Sequence, residues 1–522
     1  MSHNKSAFTA PHREAALAGQ TILDAGGTAC EAMVAAAAMI AVQYPHMNGL
    51  GGDGFWIISK KGEKPVAIDA CGAAALGANI DDYRRLGDEM PESGGKAAVT
   101  MAGTVGGWQK ALEYNHSDLP LSTLFQPAIN SATNGITVTE SMAFASHKTY
   151  ARLQAYGPFN DLYLINGLPL SAGETIVNPA LAMTLNRLAQ SGLDDFYRGE
   201  LAQEMARELQ EAGSPLTLED FHCYQAEWVD PITVKTSRSQ LYNFDAPTQG
   251  VASLLILAIY DRLVKPNDTE LEHLHLLVEA TKQAFIIRDQ VVCDRQFLTK
   301  PLNEYLTDEV IDHACRQIQR QKALPWPHLA KVGDTIWMGA CDKEGTMVSF
   351  IQSVYWEFGS GVVLPTSGIV WNCRGKSFSL NPHHHNALVG GKKPFHTLNP
   401  AYAELADGRR MVYGTMGGEG QPQTQACLFS RYLYQDFDLQ KAIAAPRWLL
   451  GRTWGDSTHS LRLEQSLYQQ HAELLSHLGH QVTFVPDNNE LMGHAGAVVL
   501  DLNGAIDASS DPRSDGIFTL GE

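Results

Sequence analysis

GTMGGEGQ, residues 414–421, sets adjacent glycines after a β run, an arrangement that can aim two backbone N–H groups at one point, as an oxyanion in acyl transfer requires. Taken alone, such a stretch is more often only a turn. GDTIWMGACDKEG, residues 333–345, holds Thr335 at the head of a short strand followed by a turn at DKEG, where a stiff β-branched residue is ordinary, so Thr335 gains a role only in company. GLGGDGF (49–55) is glycine-rich but follows a helical stretch and lacks both the P-loop lysine and the GxGxxG spacing. Its glycines read as a device for packing chain closely beside a site. The three adjacent histidines His383, His384 and His385 cannot all face one ion and have no HExxH or carboxylate cluster beside them, so they read as an exposed loop. No GxSxG is present to support a nucleophile-elbow hydrolase.

With 522 residues and 44% apolar content the chain can bury a large core. A net charge of -18 leaves no basic reserve for phosphates, which excludes nucleic acid and anionic membranes as main partners and favours a small-molecule substrate. Eight scattered cysteines without a CxxC pair argue against a zinc ribbon or disulfide scaffold and suit a reducing cytoplasm. The N-terminal stretch lacks the pattern of a secretory signal, and AMVAAAAMIAV (32–42) is too short to span a bilayer and reads as a buried alanine-rich helix.

These residues need a frame. The first hundred residues read helix, helix, glycine turn and a two-stranded hairpin; about 110–325 reads mostly helical; from 333 short β runs dominate, with helices expected within PRWLLGRTWGDSTHSLRLEQSLYQQHAELLSHLGHQ. Strands at both ends of the chain imply one α+β body whose sheets draw on both. The proline- and charge-rich run just before Thr335 is expected to be the most weakly packed.

In combination the motifs become specific. NGLGGDGF, AGTVGGW, GDTIWMGACDKEG, FGSG, GKKPFHTLNP, GTMGGEGQ, AAPRW and SSDPRSDG follow one another in the order of the γ-glutamyltranspeptidase family, which the chain resembles from end to end. The resemblance implies an N-terminal-nucleophile hydrolase with a four-layer αββα sandwich, made as a precursor that cuts itself between Asp334 and Thr335. Residues 1–334 would form the large fragment and 335–522 the small one, interwoven as one domain. The fragments would stay together as a heterodimer, with further oligomerisation open. The freed α-amino group, with an ordinary pKa of about 7.7–8.0, would serve as base for the adjacent hydroxyl. By family match Gly417 and Gly418 would offer the oxyanion N–H groups, and Ser353 would hydrogen-bond the nucleophile. No cofactor or metal is implied.

The sequence departs from the family where a glutamyl head group is held. The early arginine position is Cys71, the aspartate position Ser377, the asparagine Tyr355, the glutamine Arg374, and the paired serines His396 and Thr397. A free amino-acid head group would bind poorly there, whereas the Arg374 guanidinium can fork a carboxylate. The pattern is similar to the oxamate amidohydrolase branch, implying oxamate cleaved to oxalate and ammonia in cytosolic purine-nitrogen breakdown. The alternatives are a γ-glutamyltransferase or glutathione hydrolase, and a non-catalytic binding descendant. The alternative for Arg374 is a surface or structural arginine paired with a carboxylate, and for Tyr355 and His396 packing residues.

Overall fold

The computed structural model describes residues 5–326, 334–451 and 459–522, with the backbone alone at Asp334. Two antiparallel sheets face each other. The first runs Ile517–Gly521, Ser6–Ala10, Asp334–Cys341, Met347–Tyr355, Asp53–Ser59, Val66–Ala70 and Glu227–Val229; the second runs Ile506–Ser510, Ala495–Leu500, Arg410–Thr415, Ala401–Leu405, Ser239–Asn243 and Ile232–Lys235. Both therefore interleave strands from before and after Thr335.

Strand alternation sorts the apolar residues into three layers. Trp56, Ile58, Ile336, Met338, Val348 and Phe350 point outward into a core shared with the helices Arg13–Asp24 and Ala29–Gln43. Their neighbours Phe55, Ile57, Trp337, Met347 and Ile351 point inward and meet Tyr402, Val412 and Val498 of the second sheet, together with Leu398. The outer face of that sheet, with Leu241, Ala403, Met411 and Val499, is covered by Gly250–Leu263, Glu270–Val291 and Gln421–Tyr434. Helix, sheet, sheet, helix is the expected four-layer sandwich.

The alanine-rich helix Ala29–Gln43 is buried along its whole length and begins in a capping box of Thr28 and Glu31. Alanine lets it lie close to its neighbours on every side, as its all-round apolar sequence implies. Between the sheets Trp337 needs similar room. A Cβ on Gly414 or Gly496 would stand 2.3 or 2.6 Å from its indole.

Several elements differ from the expectations. Ser6–Ala10 and Ile517–Gly521 are strands that pair with each other, and Glu227–Val229, Ile232–Lys235 and Ser239–Asn243 lie within the stretch read as helical. Within 446–481 only Gln465–Leu478 is a described helix; Trp448–Leu450 and Leu461–Glu464 are paired strands, each too short for a helix and buried throughout. The run before Thr335 is described to residue 326 and is mostly half-buried or exposed; residues 327–333 lie outside the described set. All eight cysteines are free. Among the described residues no helix is long and apolar enough to cross a membrane.

Candidate active site

Thr335 is fully buried, on the strand Asp334–Cys341, with Asp334 continuing the chain before it. Asp334 pairs with Tyr355 and Ile336 with Gln352, and the register shifts between them. Thr335 therefore lies in a bulge opposite Ser353 and Val354. Gln421 donates to Thr335 Oγ1 from Nε2 at 3.5 Å, tying the threonine to the start of the helix after the glycine turn.

Ser353 Oγ accepts the Tyr355 N–H at 2.7 Å. That bond accompanies a left-handed backbone at Tyr355, φ +84°, a costly conformation for an aromatic residue and of the kind found where geometry serves function. The turn swings the Tyr355 ring over Arg374, whose guanidinium carbon lies 3.8 Å from the ring centroid.

Arg374 is 1% exposed. Its Nη1 donates to Thr397 Oγ1 at a long 3.4 Å, while Nε and Nη2 have no hydrogen-bond partner among the described residues. No carboxylate lies within ion-pair distance of it among those residues, so the reading of Arg374 as a structural ion-pair partner is not supported. Its backbone is firmly held: Asn372 Oδ1 accepts its N–H at 3.0 Å, and Ser377 Oγ lies 2.8 Å from its carbonyl oxygen and 2.9 Å from that of Phe395. Burial lowers the guanidinium pKa from its ordinary value, the cost of an unneutralised charge in the interior.

Behind Arg374 lies a second polar group. His396 Nδ1 accepts the Leu398 N–H at 3.4 Å, which leaves the proton on Nε2 to donate to Asp53 Oδ2 at 3.0 Å. Asp53 Oδ1 accepts the Gly72 N–H at 2.8 Å. Burial pushes the Asp53 carboxyl up to about 7, opposed by the Gly72 bond and by Arg374. Burial and the Arg374 charge together push His396 well below the ordinary histidine range, so the ring is neutral. Cys71, read from sequence as merely small and apolar, is 1% exposed and lies beside this pair.

Gly417 and Gly418 both have positive φ, +118° and +53°, and Gly420 N–H closes the turn on the Gly417 carbonyl at 2.8 Å. The Gln249 Nε2 donates to the carbonyls of Gly418 and Thr397, each at 2.8 Å. Arg288 Nη1 donates to Gln249 Oε1 at 2.9 Å, and its Nη2 to Glu419 Oε2 at 2.7 Å.

The structure thus brings Thr335 opposite Ser353, and Tyr355, Arg374 and Thr397 into one contact chain with His396 adjoining. Sequence reasoning missed Asp53, although it sits inside GLGGDGF, and also Gln249, Arg288, Glu419 and Gln421. Gln249 lies in DAPTQG, which carries no signal of its own. The exposed turn at His383 and His384 is as expected.

Among the described residues, two buried groups carry ligand atoms close enough to share a metal ion: Asp53 with Cys71 and His396, and His275 with Glu279 and His480. In each a fixed cation competes with the metal. Arg374 acts electrostatically on all three residues of the first group, and Lys282 Nζ sits 2.6 Å from Glu279 in the second. The group's own hydrogen bonds, including His275 to His480 at 2.9 Å, already account for the second.

The gamma-glutamyltranspeptidase family model matches residues 15–520. An oxamate amidohydrolase proenzyme of Klebsiella pneumoniae is 48% identical over 97% of both chains. A glutathione hydrolase-like proenzyme of Bacillus subtilis is 36% identical over 98% of both. The crystal structure of a cephalosporin acylase from Bacillus halodurans superposes with a TM-score of 0.91 at 30% identity, covering 99% of this chain and 96% of that one. Taken with the layered fold, these likenesses establish that the chain is a hydrolytic enzyme of the gamma-glutamyltranspeptidase family, with the N-terminal-nucleophile hydrolase sandwich.

Proposed function

We propose that the chain cuts itself between Asp334 and Thr335 and then hydrolyses a small amide bearing a carboxylate beside its scissile carbonyl, with oxamate as the substrate that fits best. The observation that carries this reading is Arg374: a buried guanidinium that has, among the described residues, two unpartnered nitrogens and no carboxylate of its own is suited to receive one from a ligand. The 48% identity to an oxamate amidohydrolase proenzyme supports it independently.

After cleavage the Thr335 amino group takes the hydroxyl proton as Oγ1 attacks the amide carbonyl. The N–H groups of Gly417 and Gly418 receive the oxyanion, and Ser353 orients the hydroxyl. The proton passes to the leaving nitrogen, ammonia departs, and an acyl-threonine ester remains. Water, deprotonated by the same amino group, attacks the ester and releases oxalate. Tyr355 and Thr397 hold the guanidinium, and neutral His396 leaves that charge to the substrate.

The interleaved strands support a reading in which the two fragments stay paired, and the free cysteines suit work in the cytosol on a purine-derived amide. Ammonia release from oxamate by the processed protein, with glutathione and glutamine alongside, tests the substrate. Turnover of oxamate alone is expected. Preferential turnover of the glutamyl compounds would overturn the reading and make the chain a glutathione hydrolase.

A further inference from the structure

A turn built on two consecutive positive-φ glycines has no side chain to hold it, so the placement of its N–H groups depends on what grips it from outside. The grip here comes from Gln249. Its backbone N–H donates to the His396 carbonyl at 3.1 Å, and its Nε2 spans the carbonyls of Thr397 and Gly418. Its Oε1 is taken by Arg288. Two carbonyls on one end and a guanidinium on the other fix the amide in a single orientation. Gln249 is fully buried, Arg288 2% exposed and Glu419 4% exposed, so these bonds do not compete with bulk water.

We infer that Gln249 is a positioning residue that ties the Gly417–Gly418 turn to the segment at Thr397, and that Arg288 orients Gln249 while anchoring Glu419. This rests on the reading above that the turn receives the oxyanion. Its consequence is that residues preceding the cleavage site set the geometry of an oxyanion site that follows it, so the large fragment takes part in turnover through Gln249 and Arg288.

Gln249→Glu tests it: the side chain keeps its size and its acceptor for Arg288 but has no N–H to offer the carbonyls. The processed variant is expected to lose about 10–100-fold in kcat, with KM moving less than about 3-fold, since the Arg374 side chain is untouched. Arg288→Lys keeps a charge for Glu419 but cannot also hold Gln249, and is expected to lose about 3–10-fold in kcat. It carries the test if Gln249→Glu stays uncut. A kcat within twofold of wild type, a loss confined to KM, or failure of both variants to self-cleave would overturn the inference. Wild type inactive on oxamate would instead sink the substrate reading, and the same ratios would then be read on γ-glutamyl-p-nitroanilide.

Discussion

Asp53 and Ser353 are register partners on neighbouring strands of the first sheet. One stretch of ladder therefore fixes both the carboxyl that holds His396 and the hydroxyl opposite Thr335. The preceding Gly52 packs against this ladder, where a Cβ would stand 2.1 Å from the Ser353 carbonyl oxygen. The glycine loop is thus a close-packing device, as its lack of a phosphate-binding pattern implies.

Gly52→Ala is expected to push the Ser353 backbone away from its place. An overlap with backbone cannot be relieved by a rotamer change, so the cost is about 1–3 kcal/mol in stability together with slowed self-cleavage. Thermal denaturation and a time course of fragment appearance check it; a variant that matched wild type in both would show that the ladder yields without consequence.

Asp53 should make substrate affinity pH-dependent. Its carboxyl, raised to about 7 by burial, faces His396 and feels Arg374, Asp69 and Lys393. As it ionises, a negative charge develops beside the carboxylate site, so KM for oxamate is expected to rise above pH 7 and to flatten in Asp53→Asn. The folded chain holds this proton more tightly than the unfolded one, whose carboxyl titrates near 3.8, so the group's contribution to stability declines as pH rises from about 4 to about 7. KM profiles from about pH 6 to 8.5 and melting temperatures from about pH 4 to 7 measure the two effects. A wild-type KM flat from pH 6 to 8.5 would count against the assignment.

Thr335→Ala is expected to remain a single 57.0 kDa chain with no amidase activity, while wild type resolves into fragments of about two-thirds and one-third of that mass. Intact-mass analysis decides it, and a variant that still split before residue 335 would remove Thr335 from the chemistry.

Thr335, Ser353 and the glycine pair were legible because motif order survives in sequence, and the helix Ala29–Gln43 because its composition allows only burial. Gln249, Arg288 and Glu419 were not, since their roles exist only where separate segments converge in space. The strands Ser6–Ala10 and Ile517–Gly521 were missed for a related reason: each is a short run whose partner lies at the far end of the chain. Arg374 was legible as a position, but its two unused nitrogens were not. Only packing shows that no carboxylate among the described residues reaches it.

Those two unused nitrogens set up the most discriminating prediction. A buried guanidinium with two unused nitrogens costs stability until an anion arrives, so Arg374→Met, close in length and without charge, is expected to melt higher than wild type when no ligand is present. The same change should raise KM for oxamate about 100-fold, near 3 kcal/mol, with self-cleavage retained. Arg374→Lys should fall between, since an ammonium supplies charge without the fork. Oxalate, the product, should raise the melting temperature of wild type and leave that of Arg374→Met unchanged, because the carboxylate would have nothing to grip. Calorimetry on the three proteins with and without oxalate separates the terms. If oxalate stabilised Arg374→Met as strongly as wild type, the anion would be held elsewhere, and the guanidinium stacked on Tyr355 would be a structural residue after all.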